Sequence, residues 1–185
     1  MITMKGDNLM KINCDFENSR YKLLNSYYYY ADLMGLIGTV DKDDRWLMSH
    51  FINLVGVRWD DFLAIHFDTL LYRNHFMSMY YNCPFLLFHK YPRDYSPNIN
   101  GLHFLDFLNR QIELGFSVLF VCEKNSLDHR YRENFCHDIM VYGADDSYDN
   151  YFYSDNNYYG KFEHGLVCTK NQLIDGFTKV RDLHP

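Results

Sequence analysis

The chain has 185 residues, enough to bury a core without disulfides or metal ions. Its 18 Lys+Arg against 24 Asp+Glu leave a net charge of −6, so the basic footprint of a nonspecific nucleic-acid binder is missing. An aromatic content of 18% with 4 Pro and 10 Gly excludes disordered, collagen-like and linker-like classes.

Residues 1–13 read as a polar lead-in. From Asp15 to about Gly35, Phe16, Leu23, Leu24, Tyr27, Tyr28, Ala31 and Met34 recur at helical spacings. Acidic residues at 41–44 suit the start of a helix from Arg45 to about Val55. Phe62, Leu63, Ile65, His66, Leu70, Phe76, Met77 and Tyr80 predict a further helix or helix pair between Asp60 and Tyr81. Phe85–His89 reads as a strand among prolines. Leu102 to Leu114 predicts an amphipathic helix, with Gly115 placed for a C-cap. After Gly115 the period changes. Phe116–Cys122 is an apolar run of strand length, and 127–135 is a polar loop. His137–Tyr142, Tyr148–Tyr153 and Tyr159–Val167 follow as strands, with turns at 143–146 and 154–157. Thr169 caps a last helix carrying Leu173, Ile174 and Phe177. Helices followed by an antiparallel sheet give an α+β class: a single domain, helical over about 14–115 and sheet over about 116–185.

Cys14, Cys83, Cys122, Cys136 and Cys168 are odd in number, and no Cys-x-x-Cys occurs, so zinc ribbons and thioredoxin-type sites find no support. No apolar run approaches the roughly 18 residues of a membrane helix, and the first residues lack the apolar stretch of a signal peptide. The expectation is a soluble, reduced, cytoplasmic protein without a membrane or nucleic-acid partner.

The informative segment is Phe135-Cys-His-Asp-Ile-Met-Val-Tyr-Gly-Ala-Asp-Asp146, followed by Tyr151-Phe-Tyr-Ser-Asp155. His137 opens one predicted strand, and Asp155 ends the next. In a hairpin the two can stand side by side, where a carboxylate fixes an imidazole tautomer and stabilises its cation. A nucleophile at a helix start would complete the set, because a helix dipole favours a thiolate. Cys14 holds that place. Cys136 adjoins His137, but neighbouring strand residues face opposite ways. Cys122 and Cys168 lie in apolar runs and read as core; Cys83 reads as loop packing.

Gly115-Phe-Ser-Val-Leu-Phe-Val, Leu127-Asp-His-Arg-Tyr131, His137-Asp-Ile-Met-Val-Tyr-Gly-Ala-Asp-Asp146 and Tyr153-Ser-Asp155 resemble the papain-like cysteine peptidase superfamily. They resemble in particular its C39-type peptidase homologues found beside thiotemplated, nonribosomal assembly lines. The resemblance covers about 114–156, and the N-terminal half only through Cys14 and its helix. It implies a papain-like fold and a Cys14–His137–Asp155 triad. It also implies amide formation from an acyl thioester on a carrier protein and a small amine, as in polythioamide pathways of the closthioamide type. Hydrolysis by the same triad, as a peptidase or thioesterase, is the alternative; a non-catalytic binding module is the second. The family's oxyanion glutamine falls at Asn8, a shorter amide, and Asn13 is the other nearby amide. Arg130 and Arg132 are candidate contacts for an acidic carrier. No cofactor and no metal are expected. The nine histidines lack His-x-x-x-His spacing, and Asp145-Asp146 with Asp149 reads as a hairpin turn, not a calcium loop.

Overall fold

The computed structural model describes residues 2–4, 9–12, 28–37, 54–59, 62–67, 83–89 and 101–183. Along them run β1 (Ile2–Met4), β2 (Leu9–Ile12), α1 (Tyr28–Ile37), β3 (Leu54–Trp59) and β4 (Phe62–Phe67). Then come α2 (Gly101–Glu113), β5 (Val118–Glu123), the single turn α3 (Lys124–Leu127), β6 (Cys136–Asp145), β7 (Asn150–Asn156), β8 (Phe162–Thr169) and α4 (Lys170–Leu183).

β6 organises the main sheet. Its ten residues take β7 on one edge and two strands on the other. β5 pairs with Cys136–Val141, and β2 takes over along Gly143–Asp145. β8 lies outside β7, and β1 outside β2; every pairing is antiparallel. β3 and β4 form a separate hairpin. The class is therefore α+β, as the change of period at Gly115 predicts.

Alternation along β6 sends Ile139, Val141 and Ala144 to the face covered by α2 and α4. There they meet Leu105, Leu108 and Ile112 of α2 and Leu173 and Phe177 of α4, all buried. Phe104 stacks on Phe177 with ring centroids 3.7 Å apart, tying the two helices together over the sheet. Each large apolar side chain so buried contributes about 1.5–3 kcal/mol. The opposite face carries Met140, Tyr142 and Phe162, with Leu36 of α1 against them.

The helix ends follow the expected chemistry. Gly115 has φ +88°, and the N–H groups of Gly115 and Phe116 return to the carbonyls of Ile112 and Gln111. That is the glycine C-cap predicted for α2. At α4, the Thr169 hydroxyl accepts from the N–H of Gln172, while the Gln172 amide oxygen accepts from the N–H of Thr169, a reciprocal capping box.

The first half departs from expectation. Residues 2–4 and 9–12 of the polar lead-in are strands of the main sheet. Phe62–Phe67 is a strand, not the start of a helix, because it pairs residue for residue with Leu54–Trp59 across Asp60-Asp61. Val55, at the predicted end of a helix, lies in β3. Residues 83–89 hold a turn and irregular chain in place of a strand. Most of the predicted helices over 15–27, 45–53 and 68–81 lies outside the described residues. In the second half, both predicted turns fall later. β6 continues through Gly143 to Asp145, with a bulge between Val141 and Gly143, and β7 continues to Asn156. Asp145, not Gly143, organises the hairpin: its carboxylate accepts from Ser147 Oγ, the Asp149 N–H and Asn150 Nδ2. Among the described residues no helix is long and apolar enough to cross a membrane.

Candidate functional site

His137 is the second residue of β6, on the same face as Ile139 and Val141. β7 pairs Ser154 with Met140, so Asp155 stands one step further and diagonal to His137. The pleat then does what the sequence suggested. His137 Nδ1 lies 3.0 Å from Asp155 Oδ1, and the carboxylate is buried. Nδ1 also lies 3.0 Å from the backbone oxygen of Asp138. Two acceptors at Nδ1 favour the tautomer protonated there and assign Nε2 to any proton transfer. Burial lowers the His137 pKa from its ordinary value. The Asp138 carbonyl and carboxylate oppose that shift, and Lys124 reinforces it.

The carboxylate has a second partner that sequence reasoning missed. Lys124 Nζ sits against Asp155 Oδ2, with both side chains almost wholly out of solvent. Lys124 is the first residue of α3, anchored by its N–H to the Phe135 carbonyl at 2.8 Å. Its ammonium also lies 4.9 Å from the Tyr131 ring centroid and 5.6 Å from that of Tyr153. Burial lowers its pKa to about 8, with Cys122, Asp128 and Cys168 acting the other way. The preceding residue, Glu123, caps α3: its carboxylate accepts from the Ser126 N–H and hydroxyl and from the Asn134 N–H. A lysine after an apolar strand carries no sequence signal of burial, because its partner lies 31 residues away.

Tyr131, Phe135 and His137 stack in series, with Tyr131–Phe135 centroids 5.6 Å apart and Phe135–His137 centroids 6.2 Å apart. Tyr158 meets the edge of Tyr131 at 5.4 Å and is half exposed. Arg130 is held by Asp128 through Nε and Nη2, and Arg132 lies over Phe135. Both arginines are thus beside the aromatic series that leads to His137.

Cys14 and Asn8 lie outside the described residues, as does Asn13. β2 ends at Ile12, opposite Gly143, and runs toward the end of β6 that carries His137. From Val141 onward β5 occupies that edge. Of the other cysteines, Cys122 stands opposite His137 across the ladder but is fully buried; a Cβ on Gly176 of α4 would collide with its Sγ. Cys168 is buried, and burial raises its pKa to about 12, which suits packing and not nucleophilic chemistry. Cys136 is part-exposed, its Sγ 3.9 Å from the Asn134 oxygen, on the face opposite to His137. Among the described residues no three His, Cys, Asp or Glu converge as a metal site.

Behind Asp155, Ser154 points to the other face and donates its hydroxyl to Asp32 Oδ1 of α1. Burial raises the Asp32 pKa to about 8; Ser154 opposes the shift and Asp138 adds to it. The carboxyl is therefore neutral at neutral pH. An acid with a raised folded pKa holds its full stability below the unfolded value of 3.8. It loses stability as pH rises from there to about 8, and no more above that. Asp32→Asn removes this slope. The variant is expected to match the parent in denaturant unfolding near pH 4 and to exceed it at pH 9. Parallel pH profiles would show that Asp32 is not buried as a neutral acid.

No family model matches the chain, and neither the curated proteins nor the solved structures contain a match.

Proposed function

We propose that the protein is a cysteine-dependent acyltransferase of papain-like fold. In this reading it forms an amide from a carrier-bound acyl thioester and a small amine, within thiotemplated biosynthesis. The observation that carries the reading is the contact of His137 Nδ1 with buried Asp155 at 3.0 Å, the base and orienter of a triad. The motif resemblance supplies the class of reaction and assigns Cys14 as nucleophile.

The steps follow from these groups. His137 Nε2 takes the Cys14 thiol proton, and the thiolate attacks the thioester carbonyl. The bond to the carrier sulfur breaks, and the carrier thiol leaves with the proton from the imidazolium. An amine then attacks the acyl-cysteine, gives a proton to Nε2, and displaces the Cys14 sulfur, which recovers that proton. Aminolysis of a thioester is downhill, so no nucleotide is consumed. Water must be kept from the acyl-enzyme, and the aromatic series beside His137 provides an apolar wall. Hydrolysis by the same groups is the competing outcome, and product analysis with and without amine separates the two.

Six residues of β6, about 20 Å of strand, separate Gly143 from His137. Two residues of chain beyond Ile12 span at most about 7 Å. Adduct mapping is therefore the decisive measurement. Incubation with an acyl thioester followed by peptide mass spectrometry is expected to place one acyl group on Cys14. An adduct on Cys136, or none on any cysteine, would overturn the assignment.

A further inference from the structure

Lys124 has no place in a Cys–His–Asp triad, yet the fold invests heavily in it. Its side chain is only 3% exposed, and that of its partner Asp155 is 0% exposed. The surroundings fix it from several sides: the Glu123 cap locks α3, Phe135 holds its N–H, and the rings of Tyr131 and Tyr153 flank the ammonium. Tyr131 is itself tied by its hydroxyl to the Asn156 carbonyl, next to Asp155. The carboxylate thus bridges two bases, with Oδ1 toward His137 and Oδ2 toward Lys124.

We propose that Lys124 is a positioning residue for the His137–Asp155 pair: it holds the carboxylate in the plane His137 needs and offsets the negative charge that would otherwise draw a proton onto the imidazole. In a conventional triad an isolated buried carboxylate favours the imidazolium. Here the carboxylate charge is already matched. A neutral base is ready at neutral pH, while the oriented Nδ1 contact is kept. The charge on Lys124 also removes the penalty of burying Asp155 alone.

The groups facing His137 from each packed element agree with this balance. β7 offers Asp155, β5 offers the Cys122 thiol, and β6 itself offers the Asp138 carbonyl at Nδ1 and the Asp138 carboxylate, which acts against Lys124. α3 offers Lys124. Of α4, Lys179 is turned to Ser126 and Glu123. From the loop before β6, Arg130 is neutralised by Asp128, and Arg132 lies over Phe135, the ring stacked on His137. Among the described residues Lys124 is the cation that shares the orienting carboxylate.

The kinetic part of this inference rests on the acyltransferase reading; the spectroscopic part does not. Lys124→Met is expected to raise the His137 pKa by about one unit or more, read from the imidazole 15N shifts. Lys124→Arg, which keeps the charge, is expected to hold it near the parent value. If turnover is found, its acidic limb moves to higher pH in the Met variant by the same amount. An unchanged His137 titration in Lys124→Met would overturn the proposal whether or not the protein transfers acyl groups. Should the Met variant fail to fold, Lys124→Gln, which keeps a donor for Asp155 without the charge, is read in the same way, and an unchanged His137 titration there overturns the proposal equally.

Discussion

Asp155→Asn is expected to destabilise the fold by about 3–5 kcal/mol at pH 7, because it removes one partner of a buried ion pair and leaves Lys124 with an uncompensated charge. A substitution that merely mis-set the His137 tautomer would spare the fold, so the stability loss separates the two roles of this carboxylate. The sign of its pH dependence is the sharper test. Burial already lowers the Lys124 pKa with Asp155 in place, and removal of the carboxylate lowers it further. Stability of the variant then rises with pH from the depressed folded pKa toward the ordinary 10.5, since the unfolded state holds more protons in that window. Denaturant unfolding at pH 7 and pH 9.5 would show it. A loss that does not shrink with rising pH would mean that Lys124 is not held by Asp155. Turnover by whatever variant folds is expected to fall by roughly 10²–10⁴. Asp146→Asn is the control: this exposed turn residue is expected to leave activity within a few-fold.

The C-terminal half was legible because its signals are local. The period changes at Gly115, a capping box stands at Thr169, and a strand pair brings His137 and Asp155 together by ordinary alternation. Gly143 misled because glycine after an apolar run reads as a turn, whereas here it follows a bulge inside a longer strand. Residues 62–67 misled for a related reason: Phe62, Leu63, Ile65 and His66 can be fitted to a helical spacing, and the ladder with Leu54–Trp59 makes them a strand. The strands at 2–4 and 9–12 were illegible because β2, on which β1 pairs, is itself anchored on β6 more than 130 residues away, and strands of three and four residues carry no period of their own. Lys124 was hidden for the same physical reason: burial of a lysine is decided by its tertiary partner, and composition around residue 124 says nothing of Asp155.

If the proposed acyltransferase reading holds, His137→Ala is expected to abolish acyl transfer almost completely, with a loss close to that of Cys14→Ala. If the two residues act as one unit, removing the second after the first costs little more. The double variant should therefore fall within a few-fold of either single one. Multiplicative losses would mean that the two act apart, and the long path between Ile12 and His137 makes that comparison informative. The fold should tolerate the change. His137 is part-exposed and lies at the start of β6, outside the Ile139–Val141 packing, and Lys124 still matches Asp155 when the imidazole is gone. On the acyltransferase reading, the parent protein is further expected to keep kcat/KM flat as pH falls to below 6.5, because burial of His137 and the nearby Lys124 charge hold its pKa under that ordinary value. Below that point activity falls as the imidazole takes a proton. An acidic limb at or above 6.5 would mean that the base is not His137, or that Asp155 acts on it unopposed.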